Sequence, residues 1–257
     1  MMQKIKNTVK SLTRRVGYDI IQVNPKRAGF PVDFDDTQID IIHKVTPYTM
    51  TGWERVHALI EAVRYVISSD IKGDFVECGV YKGGSMMAMA LTLLSKGIKD
   101  RELYFFDTFE GMPAPGERDV DDVFGNSVNE EFSKWRISDV SSTWVNAPME
   151  KVKAAMASTG YPMERMHFIK GMVEDTLPSQ APNTVALLRL DTDWYQSTFH
   201  EMAHLYPRLS VGGVTIIDDY GHFKGAKDAV DDYFRGAGLK PFLHRIDYSG
   251  RLVIKTK

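Results

Sequence analysis

The sequence predicts an α/β fold, a mostly parallel sheet with helices on both faces. Short apolar runs that read as buried strands alternate with stretches of helical period, the pattern of successive βα crossovers. Two of these runs, LLRLD and VTIIDD, end in carboxylates at Asp191 and at Asp218 and Asp219, at the sheet edge where α/β proteins bind ligands. The end of the chain differs: PFLHRIDY, Ser249-Gly250 and RLVIKT leave no room for a crossover helix, so an antiparallel hairpin is expected there.

At 257 residues the chain suits one α/β domain with additions rather than two full domains. Its formal charge of -2 provides no bulk attraction for nucleic acid. The single cysteine, Cys78, excludes an intramolecular disulfide framework and a thiolate zinc cluster, and a cytoplasmic protein is expected. No run of about 18 apolar residues is present and the first residues lack a secretory apolar region, so neither integral membrane association nor a signal peptide is expected.

The first element is a basic arm. Lys4, Lys6, Lys10, Arg14, Arg15, Lys26 and Arg27 accompany Ile5, Val9, Leu12 and Val16 at helical spacing, which suits a membrane surface or a second subunit, although a frayed, solvated arm is the default. Thr51 and Glu54 have capping-box spacing before a helix whose face is Val56, Leu59, Ile60, Val63 and Ile67. GDFVECG reads as a buried strand, Ser85 to Ser95 as a helix and ELYFFD as a second strand. From Gly111 to Ala147 prolines, glycines, acids, Trp135 and Trp144 follow without a sustained period, as in a lid or substrate cover. Met149 to Thr159 is helix-compatible; MHFIKG, TVALLRLD and GGVTIIDD read as strands, and Gln196 to Leu209 and Ala226 to Phe234 as helices.

Three acids brought together at one sheet edge resist ionisation unless a cation lies between them, and all-oxygen ligation favours magnesium. Asp191, Asp218 and Asp219 are therefore a candidate metal site; the plainer alternative is that these acids end strands and cap helices. Upstream, FVECGVYKGGS places Glu77 two residues before Gly79, with Gly83 and Gly84 opening a helix. Tyr81 breaks the G-x-G-x-x-G dinucleotide pattern, which speaks against a nicotinamide dehydrogenase. In a strand acid followed by G-x-x-x-G, Gly79 lets the backbone approach a ligand and the helix start offers N–H donors to its carboxylate. Asp107, ending the next strand, stands where an acid accepts hydrogen bonds from both ribose hydroxyls. Together these features suggest S-adenosylmethionine.

VECGVYKGGS, FFDTFEGMP, IKGMVEDTLP, LLRLDTDWYQST, YPRLSVGGVTIIDDY and, more faintly, TPYTMTGWERV resemble the class I methyltransferases, and within them the macrocin and mycinamicin sugar O-methyltransferase family, to which the novobiocin sugar methyltransferase also belongs. The motifs span roughly residues 46–256. The resemblance implies a Rossmann-like, seven-stranded class I domain over 51–257, preceded by an arm and cofactor or substrate cover over 1–50, with acceptor recognition in the insertion at about 111–147. It implies a magnesium-dependent enzyme that methylates a sugar hydroxyl of a glycosylated small molecule, and a homo-oligomer is expected.

Carried onto this sequence, the metal ligands would be Asp191, Asp218 and Asp219. Glu77 and Gly79 would lie by the methionine part of S-adenosylmethionine, Tyr81, Gly83 and Ser85 along the turn, Asp107 and Thr108 at the ribose, and Met172 and Val173 at the adenine, where an apolar surface suits a π-face. Thr49 and Met50 would close over the cofactor. The candidate bases are Asp191, then His222, then Asp193. The arrangement is similar to that of catechol O-methyltransferases, but these have a lysine three residues after the first metal ligand where this chain has Trp194. Methylation of a catechol or phenol, or non-catalytic nucleotide binding, are the alternatives. Asp193 could instead cap the next helix and His222 be a polar loop residue; His57, His200 and His204 read as surface or packing residues, and Cys78 as a core residue.

Overall fold

A computed structural model describes residues 11–18, 27–121 and 123–257. The chain divides into two compact units, residues 1–40 and 41–257. The first contains helical residues 11–15 and the start of α1 (Asp36–Val45). That helix opens on a reciprocal pair of bonds, from the Asp35 N–H to Gln38 Oε1 (2.8 Å) and from the Gln38 N–H to Asp35 Oδ1 (2.9 Å). Lys4, Ile5, Lys6, Val9, Lys10 and Lys26 of the basic arm lie outside the described residues.

The second unit is a seven-stranded sheet with its helices. In chain order it contains α2 (Trp53–Ser68), β1 (Asp74–Cys78), α3 (Gly84–Ser95), β2 (Leu103–Asp107), α4 (Val128–Trp135), α5 (Met149–Ala157), β3 (Met166–Lys170) and the single turn α6 (Val173–Thr176). Then come β4 (Val185–Leu190), α7 (Tyr195–Leu205), β5 (Leu209–Ile217), α8 (Lys224–Gly236), β6 (His244–Arg245) and β7 (Arg251–Ile254). The spatial order is β3-β2-β1-β4-β5-β7-β6. The first five strands are parallel, and β7 pairs antiparallel with β5 and β6. β4 is buried at every position, as a strand covered by helices on both faces must be.

Two possible helix caps are not formed, because other partners take the groups concerned. Thr51 and Glu54 form no capping box: α2 starts at Trp53 after Gly52, without a side-chain cap. The Thr51 hydroxyl instead accepts from Arg189 Nη2 (3.0 Å), because a buried guanidinium is the harder group to satisfy. Asp193 does not cap α7 either; the Tyr195 N–H donates to Asp119 Oδ1 (2.8 Å) from the insertion. Val66 rather than Ile67 completes the buried face of α2. The insertion is less irregular than its composition suggests, since α4 is opened by Ser127, whose hydroxyl accepts from the Glu130 N–H (3.3 Å), an S-x-x-E signal present in the sequence. The terminal hairpin forms, but β6 is only two residues long, and the turn is held by Asp247 Oδ1 accepting from the Ser249 and Gly250 N–H groups (2.9 and 2.6 Å).

The sheet brings β1 and β4 side by side where the strand order reverses, and here the backbones nearly touch. Gly79 has φ +79°, and a Cβ on it would lie 2.0 Å from the Asp191 carbonyl oxygen. Gly79→Ala should destabilise the protein by roughly 2–4 kcal/mol, combining a left-handed side chain with backbone displacement. Urea unfolding monitored by circular dichroism measures it, and an unchanged midpoint would contradict the close approach.

Candidate active site

A cavity of about 360 Å³ lies over the C-terminal edge of the parallel strands, where open α/β sheets bind ligands. Its walls come from the Tyr48–Thr51 segment, the turns after β1, β2, β3, β4 and β5, the insertion and the terminal hairpin. Thr49, Met50, Gly79, Tyr81, Ser85, Asp107, Thr108, Met172, Val173, Asp191, Asp193, Asp218, Asp219 and His222 all line it, whereas Glu77 and Gly83 do not. Gly83, at φ +90°, is the residue before α3 and shapes the turn.

The cover segment reaches the cavity by close packing: a Cβ on Gly84 would lie 2.6 Å from Thr49 Cβ and 2.8 Å from the Tyr48 carbonyl. Asp107 organises the two turns beside it. Its Oδ2 accepts from the Val80 and Tyr81 N–H groups (2.6 and 3.1 Å) and its Oδ1 from the Phe109 N–H (2.6 Å). Burial pushes this carboxyl up, and the three N–H donors counter the shift.

At the floor lies Arg189, 2 % exposed. It faces Glu77 because the two are register partners on parallel neighbours. Its Nη1 donates to Glu77 Oε1 and to Asp191 Oδ2 (both 2.6 Å), and its Nη2 to Thr51 and Asp218 Oδ1. The other Asp218 oxygen accepts from Arg55, which also pairs with Asp247 (2.9 Å). Burial pushes the Glu77 carboxyl up to about 7 despite Arg189.

The three acids expected to converge do not form one group. Asp218 gives its carboxylate to the two arginines, and Asp193 stands in its place: single oxygens of Asp191, Asp193 and Asp219 lie within 4.8 Å of one another. Asp219 Oδ2 is buried and makes no hydrogen bond among the described residues. Although 24 % of the Asp191 side chain still faces the cavity, the surrounding protein excludes enough water to raise its carboxyl well above the usual range; Arg189 opposes this, and Asp218 and Asp219 add to it. Burial likewise raises Asp219 strongly, with Asp193 and Asp218 reinforcing it, and raises Asp193 to about 7. Such a set repels a further anion and has the donors and charge to hold a hard cation.

His222 stands at the mouth between two protein groups, its Nε2 3.5 Å from Asp121 Oδ1 and its Nδ1 3.3 Å from the Tyr248 hydroxyl. Its ring stacks on Phe223 (4.4 Å between centroids) and meets the edge of Phe124 (5.3 Å). Sequence reasoning missed Arg55, Asp119, Asp121, Tyr248 and, above all, Arg189. For Arg189 a signal was present, since a charged residue inside the apolar run VALLRL must find buried partners.

The chain matches the model of the Macrocin-O-methyltransferase (TylF) family over residues 23–254. It is 34% identical to the demethyldecarbamoylnovobiocin O-methyltransferase of Streptomyces niveus over 203 residues, 79% of this chain and 74% of the relative. The 8-demethyl-8-(2,3-dimethoxy-alpha-L-rhamnosyl)-tetracenomycin-C 4'-O-methyltransferase of Streptomyces olivaceus matches at the same identity and coverage. The solved structure of the O-methyltransferase NovP superposes with a TM-score of 0.71 at 31% identity, covering 82% of this chain and 83% of that one. With the doubly wound sheet, the glycine turn and the acid-lined cavity already in place, these matches lead to one conclusion: the chain belongs to the macrocin O-methyltransferase family and is an S-adenosylmethionine-dependent O-methyltransferase.

Proposed function

We propose that the enzyme methylates a sugar hydroxyl, one member of a vicinal diol, on a glycosylated natural product or glycan in the cytoplasm, with the help of a divalent cation, Mg²⁺. The observation that carries the cation is the convergence of Asp191 and Asp193, both half-buried, with the buried Asp219, whose Oδ2 is orphaned. These three would hold the ion. Asp218 supports them through Arg189 and Arg55 rather than by a free carboxylate.

S-adenosylmethionine supplies the electrophilic methyl group, and the bound cation would lower the cost of removing the acceptor proton. The chain supplies position and proton transfer. Asp107, beside the Val80–Tyr81 turn, would receive the ribose, and Met172 and Val173, which line the cavity, would offer an apolar face to the adenine. Asp191 is the first candidate to accept the proton and Asp193 a further one. His222 ranks second, because both of its ring nitrogens already face protein groups. The catechol alternative is not favoured: Trp194, where a lysine base would stand, is 2 % exposed and donates its indole N–H to the Pro113 carbonyl (3.0 Å).

Removal of divalent metal should abolish most activity, and Asp191→Asn, Asp193→Asn and Asp219→Asn should each cost several kcal/mol of transition-state stabilisation. Turnover measured with and without chelator decides this, and full activity in excess chelator would sink the cation. Asp107→Asn should weaken S-adenosylhomocysteine binding by about 1.5–3 kcal/mol in titration calorimetry; an unchanged affinity would place the ribose elsewhere.

The metal-free protein should lose stability with rising pH. Glu77 and Asp193 have ordinary values of 4.5 and 3.8, and both are raised to about 7 in the fold. The stability contributed by their neutral forms is complete below the unfolded values and is lost as pH rises through 7. Melting temperatures of metal-free protein should fall between about pH 5 and 8, and Mg²⁺ should restore them at the upper end. A flat profile in the absence of metal would contradict the burial of these acids.

A further inference from the structure

The insertion does more than cover the cavity, for it is tied to both of the loops that carry the acid cluster. Asp119, 3 % exposed, accepts from the Gly116 N–H through Oδ2 (2.7 Å) and from the Tyr195 N–H at the start of α7 through Oδ1 (2.8 Å). Two residues before Tyr195 the chain is strained. Asp193 has φ +67°, and the Trp194 N–H donates to the Thr192 carbonyl (2.7 Å), a three-residue turn of the costly left-handed kind with an aspartate at its apex. Such a turn persists only where its flanks are held. Here the flank is held by Asp119 on the backbone of Tyr195 and by the Trp194 indole on Pro113, both from the insertion side. The same stretch reaches the second loop: Asp121 bridges antiparallel to Phe223, and the Lys224 N–H donates to the Val120 carbonyl (3.0 Å). On α8, Gly225 leaves the space that Asp119 occupies, and a Cβ there would lie 1.8 Å from Asp119 Oδ1.

We propose that Asp119 is a positioning residue for cation binding: by capping α7 from the insertion it holds the strained turn that keeps the Asp193 carboxylate beside Asp191 and Asp219, so that the acid cluster is complete only when the insertion is docked. Acceptor-side structure and cation affinity are thereby one coupled unit. The inference rests on the cation reading above.

The test uses Mn²⁺ as the probe, its binding to the full chain followed by electron paramagnetic resonance, with S-adenosylhomocysteine affinity measured in parallel. Asp119→Ala should lose at least about tenfold in Mn²⁺ affinity, the scale of groups that orient metal ligands, while S-adenosylhomocysteine binds as in the wild type. Asp119→Asn, which keeps an acceptor oxygen for Tyr195, should recover most of the loss. Gly225→Ala provides a second route that leaves Asp119 in the chain: it places a helix-favouring residue in α8 and expels the carboxylate, so it should reproduce the Mn²⁺ defect even if Asp119→Ala fails to fold. Folded Asp119→Ala or Gly225→Ala protein that binds Mn²⁺ like the wild type overturns the proposal. So does a parallel loss of Mn²⁺ and S-adenosylhomocysteine, which would mark general damage. Wild-type protein that takes up no Mn²⁺ overturns the cation reading itself and this inference with it, a failure visible before any variant is made.

Discussion

Burial of the Arg189 guanidinium is the constraint that the rest of the site answers to. A cation this enclosed is tolerated only if its donors are matched by acceptors, and the molecule supplies them from four places: Glu77 on β1, Asp191 after β4, Asp218 after β5 and Thr51 in the segment before α2. Removing any one acceptor would leave charge without compensation in a water-poor interior. This explains why Thr51 does not cap the helix that follows it and why Asp218 is not free to turn toward its acidic neighbours. Arg55 extends the network to Asp247, so the turn of the terminal hairpin is fastened to the same floor.

The charges are unequal by construction. Arg189 and Arg55 answer Glu77, Asp191, Asp218 and Asp247, and among the described residues Asp193 and Asp219 form no ion pair of their own. The excess negative potential lies on the cavity side, where a cationic cofactor and a divalent ion would both be attracted. Burial raises the carboxyls of Asp191, Asp193 and Asp219, and in Asp191 it does so against the opposing charge of Arg189; perturbed acids in a cleft are a mark of a functional site.

Backbone geometry does the remaining positioning. Gly79 lets β1 and the Asp191 loop pass at a distance that no side chain permits, and Gly225 leaves room for Asp119. Gly221 similarly accepts the Tyr248 carbonyl, with a Cβ there only 2.1 Å away, which brings the hairpin turn against the Asp219–His222 loop. The insertion, with Asp119 and Asp121 both buried, behaves as part of this scaffold although its sequence has the composition of a loop.

Much of the fold was legible in the sequence, because strand and helix periods are local properties: the runs around Glu77, Asp107, Arg189 and Ile216 each carry the apolar continuity of a doubly covered strand, and the motifs from VECGVYKGGS to VTIIDDY named the family before any contact was known. The same local patterns placed most cavity residues, since the ends of parallel strands are predictable once the strands are. What tertiary structure decided is the pairing of charges. Whether Asp218 or Asp193 joins Asp191 and Asp219 depends on where two arginines, 134 positions apart in a chain that reads them as an ordinary helix residue and a stray charge in a strand, send their donors. Whether Thr51, Asp193 or Asp119 caps a helix likewise depends on competing partners that sequence spacing does not contain. Local propensity sets the elements; long-range desolvation chooses which polar groups meet within them.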